Sequence, residues 1–263
     1  MKIIPKKSLG QNFLIDKDVI KKICNSGNIT ENNNVLEIGP GTGNLTEFIL
    51  QKKPKKFHVI EKDERLINNL KEKFDKELTI INEDILKYDL KSLSDKDLVI
   101  FGNLPYNVSS QILANFIYYS YSEFSYKKLV LMFQKEVADR ILAEENSKNY
   151  GRLSIFSSWK LNIKKIMDIN PSSFFPKPKV MSSLLIFEPK INYVKFKNCK
   201  NLEHITNVFF NQRRKMIKKP LNILFNDTNK VIDELNLDVN LRPQNLKKET
   251  FYKICLIYEK LIN

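Results

Sequence analysis

The chain has 263 residues, of which 42% are hydrophobic and 28% charged, and its net charge is +14. That mix is ordinary for a globular protein able to bury a substantial core in one large domain or two, and no apolar run is long enough to span a membrane. Cys24, Cys199 and Cys255 are odd in number and far apart, and His58 and His204 are the only histidines, which excludes a disulfide framework, a zinc pattern and a histidine-rich metal site.

Cysteine usage and an N-terminus without a signal-peptide apolar stretch lead us to expect a cytoplasmic protein. The positive charge makes nucleic acid a candidate partner. Most of it is lysine spread along the chain, as in an AT-rich genome. Where the six arginines fall is therefore more informative than the total.

In chain order, residues 1–15 form a basic arm ending in Leu9-Gly10-Gln11-Asn12-Phe13-Leu14. Asp16 is expected to cap a helix with Val19, Ile20, Ile23 and Cys24 on one face. Val35 to Ile38 reads as a buried strand running into Gly39-Pro40-Gly41-Thr42-Gly43. Three of the seven glycines fall in those five residues, so the backbone there must turn tightly and admit a close approach. Asn44 has the position of a helix N-cap, with Glu47 three residues on and Leu45, Phe48 and Ile49 inward. Strand, glycine loop and helix make the first unit of a doubly wound sheet.

Phe57 to Ile60 is the second strand, with Glu61 at its end, and Leu66, Ile67, Leu70 and Phe74 mark the following helix. Leu78 to Ile81, Leu98 to Phe101 and Leu129 to Phe133 are further strands, and Ile112, Leu113, Phe116 and Ile117 a further helix. Leu153 to Trp159 reads as helix and Val180 to Phe187 as a late strand. Strands alternating with helices argue for a mostly parallel α/β sheet. Beyond Pro189 the pattern turns helical: Ile205, Val208 and Phe209 share one face, and Phe251, Ile254, Cys255, Tyr258 and Leu261 another. These patterns imply an α/β domain over 1–189 and a small all-helical domain over 190–263.

The stretch Phe101-Gly102-Asn103-Leu104-Pro105-Tyr106-Asn107 carries the chemistry. Asn103 stands where a buried strand gives way to a loop, and ligands of such sheets bind beyond the strand C-termini. Its amide oxygen accepts a hydrogen bond from an amino group. The Leu104 carbonyl lies beside it, Pro105 fixes the backbone, and Tyr106 offers a flat ring for a base. Such a site suits a planar ring bearing an exocyclic amine. Asn, Pro and Tyr are also ordinary turn residues, so the cofactor signals matter. The loop lacks the third glycine of a dinucleotide fingerprint. Glu61 is placed to accept two ribose hydroxyls and Asp84, after the third strand, to take an adenine amino group, a layout suited to S-adenosylmethionine. The plainer alternative for both acids is helix capping.

These residues carry a family. The chain resembles the bacterial ribosomal RNA adenine dimethyltransferases in Gly10 to Leu14, Leu36-Glu37-Ile38-Gly39-Pro40-Gly41-Thr42-Gly43-Asn44-Leu45-Thr46, and Asn103 to Asn107. It also does so in Gln134-Lys135-Glu136-Val137-Ala138-Asp139-Arg140, Tyr150-Gly151-Arg152-Leu153-Ser154, Phe174-Phe175-Pro176-Lys177-Pro178-Lys179-Val180 and Asn211-Gln212-Arg213-Arg214-Lys215. The resemblance implies a Rossmann-like S-adenosylmethionine-dependent methyltransferase domain with a small C-terminal all-helical domain. It implies cofactor contacts at Asn12, Leu14, Gly39, Gly41, Glu61, Asp84 and Asn103, with no metal. The implied reaction converts two neighbouring adenosines near the 3′ end of small-subunit (16S) rRNA to N6,N6-dimethyladenosine.

The implied catalytic set is Asn103, Leu104, Pro105 and Tyr106, with Phe174 matching the aromatic that faces the target base. Phe175 departs from the pattern, where a smaller residue is expected, and this leaves open which of the two phenylalanines stacks on the base. Pro220 departs too, and is expected either to kink the helix after Arg214 or to restart it. Arg213, Arg214, Lys215 and Lys218, with Lys219, form a basic cluster expected to hold rRNA phosphates; the alternative is a solvated helix face. The partner expected is the small ribosomal subunit, with no membrane, and the chain is expected to act as a monomer. Two rivals stand beside this reading: a sister methyltransferase acting on large-subunit rRNA, and a non-catalytic assembly factor on the same fold. Leu104 and the Gln134–Arg140 and Tyr150–Ser154 blocks lean away from the first, and the intact Gly39–Gly43, Glu61, Asp84 and Asn103–Tyr106 lean away from the second.

Overall fold

The structure is a computed structural model that describes residues 4–93, 98–119 and 125–261. The first three residues of the basic arm lie outside this range. The strands are β1 (Phe13–Leu14), β2 (Asn34–Ile38), β3 (Lys56–Glu61), β4 (Thr79–Asn82), β5 (Leu98–Asn103), β6 (Tyr126–Gln134), β7 (Leu161–Ile169), β8 (Phe174–Phe175) and β9 (Ser182–Pro189). The helices of the first part are α1 (Lys17–Ser26), α2 (Asn44–Leu50), α3 (Glu64–Phe74) and α4 (Ser109–Tyr119). They are followed by α5 (Lys135–Ile141), α6 (Arg152–Lys160), α7 (Lys200–Asn211), α8 (Lys218–Leu224), α9 (Thr228–Leu235) and α10 (Lys248–Leu261).

Seven strands form one sheet in the order β4-β3-β2-β5-β6-β9-β7. The pairs β3–β4, β2–β3, β2–β5 and β5–β6 are parallel, and β9 returns antiparallel to β6. The first strand of the sheet is thus central, and strand order reverses between β2 and β5. This is the switch point at which open α/β sheets form their binding crevice. β2, β5 and β6 are almost wholly buried, which is why they read as unbroken apolar runs rather than alternating ones.

Local signals explain most element ends. Asp16 caps α1 by accepting from the backbone N–H of Asp18 and Val19 at 3.1 and 3.2 Å. The cap expected at Asn44 is instead Gly43, in the left-handed region at φ +83°. Asn44 is already the first helical residue, and its side-chain amide reaches the Leu14 carbonyl at 2.7 Å. The side chain that looked like a cap is a tie to the N-terminal arm. On the buried face of α2, Thr46 joins Leu45 and Ile49, and Phe48 is only half-buried.

Two features escaped the sequence reading. β7 is a nine-residue strand at one edge of the sheet, and β1 pairs antiparallel with β8 in a two-stranded ribbon. The chain divides into two compact units, residues 1–138 with 162–189 and residues 139–161 with 190–263. Residues 139–161 therefore group with the C-terminal helices, where a single cut at 189 would have left them with the sheet.

The second unit packs α6 to α10 around Phe209, Phe251, Trp159 and Tyr150. Tyr150 donates to the Leu246 carbonyl at 2.9 Å, and Trp159 to that of Val194 at 2.7 Å. α7 ends at Asn211, and a new helix begins at Lys218 with Pro220 in its first turn, where a missing N–H costs no helical bond. Pro220 thus restarts the helix. In α10 the buried face runs through Phe251, Ile254, Cys255 and Ile257, but Leu261 is 51% exposed. No helix among the described residues is long and apolar enough to cross a membrane.

Candidate active site

A cleft opens at the C-terminal ends of β2, β3, β4 and β5, and the arm segment Leu9–Phe13 lines it as well. Gly39, Gly41, Glu61, Asp84, Asn103, Leu104, Pro105, Tyr106 and Asn12 all border it. Leu14 does not. Its side chain lies in the core, its carbonyl holds Asn44, and it borders a smaller adjoining cavity with Glu37, Gly39 and Asn103.

The glycine loop is shaped for close approach. Gly41 has φ +60°, and a Cβ there would lie 2.9 Å from Cδ1 of Phe13. A side chain at 41 would collide with the floor of the cleft. Gly39 has φ +65° with nothing within 4 Å of a built Cβ, so its surface is left open to a ligand.

Two buried acids stand behind the loop. Glu37 is fully enclosed in β2 and accepts from the Thr46 hydroxyl at 2.7 Å. Burial pushes its carboxyl up to about 8, against the pull of the Thr46 hydroxyl and with help from the charge of Glu61. Glu61 ends β3; its Oε1 accepts from the backbone N–H of Lys62 and Asp63 at 2.9 and 3.0 Å. Burial raises its pKa, and the backbone N–H groups of Asp63, Lys62 and Gly41 oppose that rise. One edge of the carboxyl is fixed by the backbone, and the residue faces the cleft. This suits an acceptor of two ribose hydroxyls. Asp84 accepts from the Leu86 N–H at 3.0 Å and pairs with Lys62 at 3.4 Å.

Asn103 closes the other side. Its Nδ2 donates to the Asn12 carbonyl at 2.8 Å. A carbonyl only accepts, so the nitrogen must face Asn12 and Oδ1 must face away from it. The amide is thereby oriented as an acceptor beside the Leu104 carbonyl. Tyr106 shares a 2.7 Å hydrogen bond with the Ser182 hydroxyl, which pins its ring between the Asn103 loop and the start of β9.

The two adjacent phenylalanines differ in exposure. Phe174 is 3% exposed and belongs to the core cluster with Leu14, Met132 and Leu184. Phe175 is 53% exposed and is the direct cross-strand partner of Phe13.

The basic cluster also divides. Arg213 donates to the backbone carbonyls of Tyr150 and of Lys148, the latter at 2.8 Å, and its guanidinium lies 5.7 Å from the Phe210 ring centre. It clasps the loop before α6. Arg214, Lys215, Lys218 and Lys219 are exposed around one cleft, and Arg242 completes it. No sequence signal linked Arg242 to these residues, since it lies on a separate loop. Among the described residues no group of three or more His, Cys, Asp or Glu is arranged to hold a metal.

The ribosomal RNA adenine dimethylase family model matches residues 5–260. The chain is 59% identical over 256 residues to the ribosomal RNA small subunit methyltransferase A of Pelagibacter ubique, covering 97% of each chain. It is 40% identical over 261 residues to the protein of the same name from Ehrlichia canis, covering 96% of this chain and 97% of the relative. Among solved structures, a dimethyladenosine transferase from Plasmodium falciparum superposes with a TM-score of 0.81 at 28% identity, over 94% of this chain and 98% of that one. The 23S rRNA methyltransferase ErmE shares the fold, with a TM-score of 0.70 at 19% identity over 95% of this chain and 100% of its own.

Proposed function

Because the chain belongs to the ribosomal RNA adenine dimethylase family, we propose that it dimethylates N6 of two adjacent adenosines near the 3′ end of small-subunit rRNA, using the Asn103–Tyr106 loop. It is an S-adenosylmethionine-dependent methyltransferase of Rossmann-like fold. The residues of the cleft fit that cofactor: an open glycine loop, a buried acceptor at Glu61 and a second acid at Asp84.

S-adenosylmethionine supplies an electrophilic methyl group on sulfur. The chain's own task is the nucleophile. An adenine N6 is delocalised into its ring and must become tetrahedral to attack. Asn103 Oδ1 and the Leu104 carbonyl accept its hydrogens, favour that geometry and stabilise the positive charge growing on nitrogen. Tyr106 holds the extruded base by stacking and, with the fixed loop, aligns N6 for transfer. Proton loss from the charged product nitrogen needs no strong base.

The observation that carries this reading is the Asn103–Asn12 hydrogen bond, which turns the amide oxygen towards an incoming amine. The exposed Arg214, Lys215, Lys218, Lys219 and Arg242 support phosphate binding by the second unit. The test is methyl transfer from labelled S-adenosylmethionine to unmethylated small subunits, with large-subunit RNA in parallel. Dimethyladenosine near the small-subunit 3′ end is the expected product. Label in large-subunit RNA alone, or tight subunit binding without label, would overturn the assignment.

A further inference from the structure

The geometry points to Asp63 as a positioning residue for methyl transfer, acting through the N-terminal arm on the amide of Asn103. This rests on the transfer reaction proposed above. Asp63 follows Glu61 by two residues, and its side chain is 1% exposed. Its Oδ2 accepts from Arg65 Nη2 at 2.7 Å and from Gln11 Nε2 at 2.9 Å, and its Oδ1 from Arg65 Nε at 3.0 Å. Lys6 lies 3.6 Å away. A carboxylate so buried persists only when donors surround it, and here two of its three partners, Gln11 and Lys6, belong to the arm. These donors, Arg65 foremost, hold its pKa far below the carboxylate range.

The arm is gathered onto this one carboxylate. Gln11 Oε1 accepts from the Lys6 N–H at 2.7 Å, and Arg65 Nη1 donates to the Ile4 carbonyl at 3.1 Å. The residue after Gln11 is Asn12, whose carbonyl takes Asn103 Nδ2 at 2.8 Å. Gly10, at φ +63°, lays its backbone against Pro105, with a built Cβ 3.6 Å from Pro105 Cβ. A continuous line therefore runs from Asp63 through the Gln11 side chain and one peptide unit to the group that accepts the amine. Loosening its far end lets the Asn12 carbonyl drift and the Asn103 amide rotate. Displacements of about 1 Å at reacting groups cost up to ~100-fold in rate.

Asp63 also begins α3, accepting from the Arg65 N–H at 3.3 Å, so a merely structural role must be separated. Asp63→Ser keeps a capping oxygen but is too short to reach Gln11, and Gln11→Ala leaves the cap untouched. S-adenosylmethionine affinity is read by calorimetry and turnover on small subunits by label. Each variant is expected to lose about tenfold in kcat, with a smaller loss of cofactor affinity and little change in Tm. The double variant is expected to be no worse than Asp63→Ser alone, because both changes cut one line. Unchanged kcat in Gln11→Ala, or losses that multiply in the double variant, would overturn the proposal. A parent protein that binds the cofactor yet methylates no RNA would instead overturn the function. The arm's role would then still be read from cofactor affinity, where unchanged binding in both variants refutes it.

Discussion

Phe13 and Phe175 are direct partners in the antiparallel β1–β8 ribbon and so share one of its sides. Phe13 floors the cleft against Gly41, and Phe175 stands next to it in the open. Their neighbours Leu14 and Phe174 take the opposite side, into the core. Truncating the two adjacent phenylalanines should therefore have different consequences. Phe174→Ala is expected to destabilise the fold by about 3–5 kcal/mol, as buried aromatics do. Phe175→Ala is expected to leave the urea midpoint nearly unchanged and to raise KM for the RNA several-fold. Equal stability losses in the two variants would contradict this placement.

Asn103→Ala is expected to lower turnover by about 100-fold or more, the scale of losing one group that stabilises transition-state charge. Cofactor affinity by calorimetry should change little. Asn103→Asp is the sharper variant. It keeps an acceptor but loses the N–H₂ that holds the Asn12 carbonyl, setting carboxylate against carbonyl. It should be as inactive as the alanine variant, whereas recovery of activity would mean the tether does not matter.

Glu37 gives the stability a pH dependence. Burial lifts its pKa from 4.5 to about 8, so the folded protein retains a proton that the unfolded chain releases between those values. Stability is then fully present below the lower value and drains as pH rises towards the upper one, at up to ~1.4 kcal/mol per pH unit. Glu37→Gln is expected to flatten this slope in urea unfolding between about pH 5 and 8, and to be the more stable protein at the upper end. A parallel slope in the variant would assign the dependence to another group.

Neutralising Arg214 or Arg242 should weaken binding to small subunits and reduce the slope of log K against log salt by about one each. Arg213→Ala should behave differently. It releases the Tyr150 and Lys148 carbonyls, so its expected effect is a lower Tm with an unchanged salt slope. Filter binding over a salt series separates the two classes.

The α/β core was legible because its strands are buried on both faces and its glycines cluster at one turn. Asn103, Glu61 and Asp84 were legible because strand ends converge on one crevice. What was not legible depends on partners distant in sequence. Asn44 looks like a cap until Leu14 claims its amide. Arg213 reads as one more basic residue of the cluster until the structure shows it bonded to the loop at Tyr150. Phe174 and Phe175 are indistinguishable as letters, and only the pairing with β1 decides which one is covered. β7 carries three charged residues and no clean alternation of burial, so periodicity gave no strand signal there.

That same charge bears on the protein's behaviour in a crowded solution. A strand at a sheet's rim presents unpaired N–H and C=O groups to any extended chain that drifts past. On β7 the exposed positions are Asn162, Lys164 and Asp168, and Lys165 is held in an ion pair with Asp168 at 2.7 Å. A second copy aligning there would have to strip these polar and charged side chains of water. Charged side chains thus make this rim a poor template for edge-to-edge pairing.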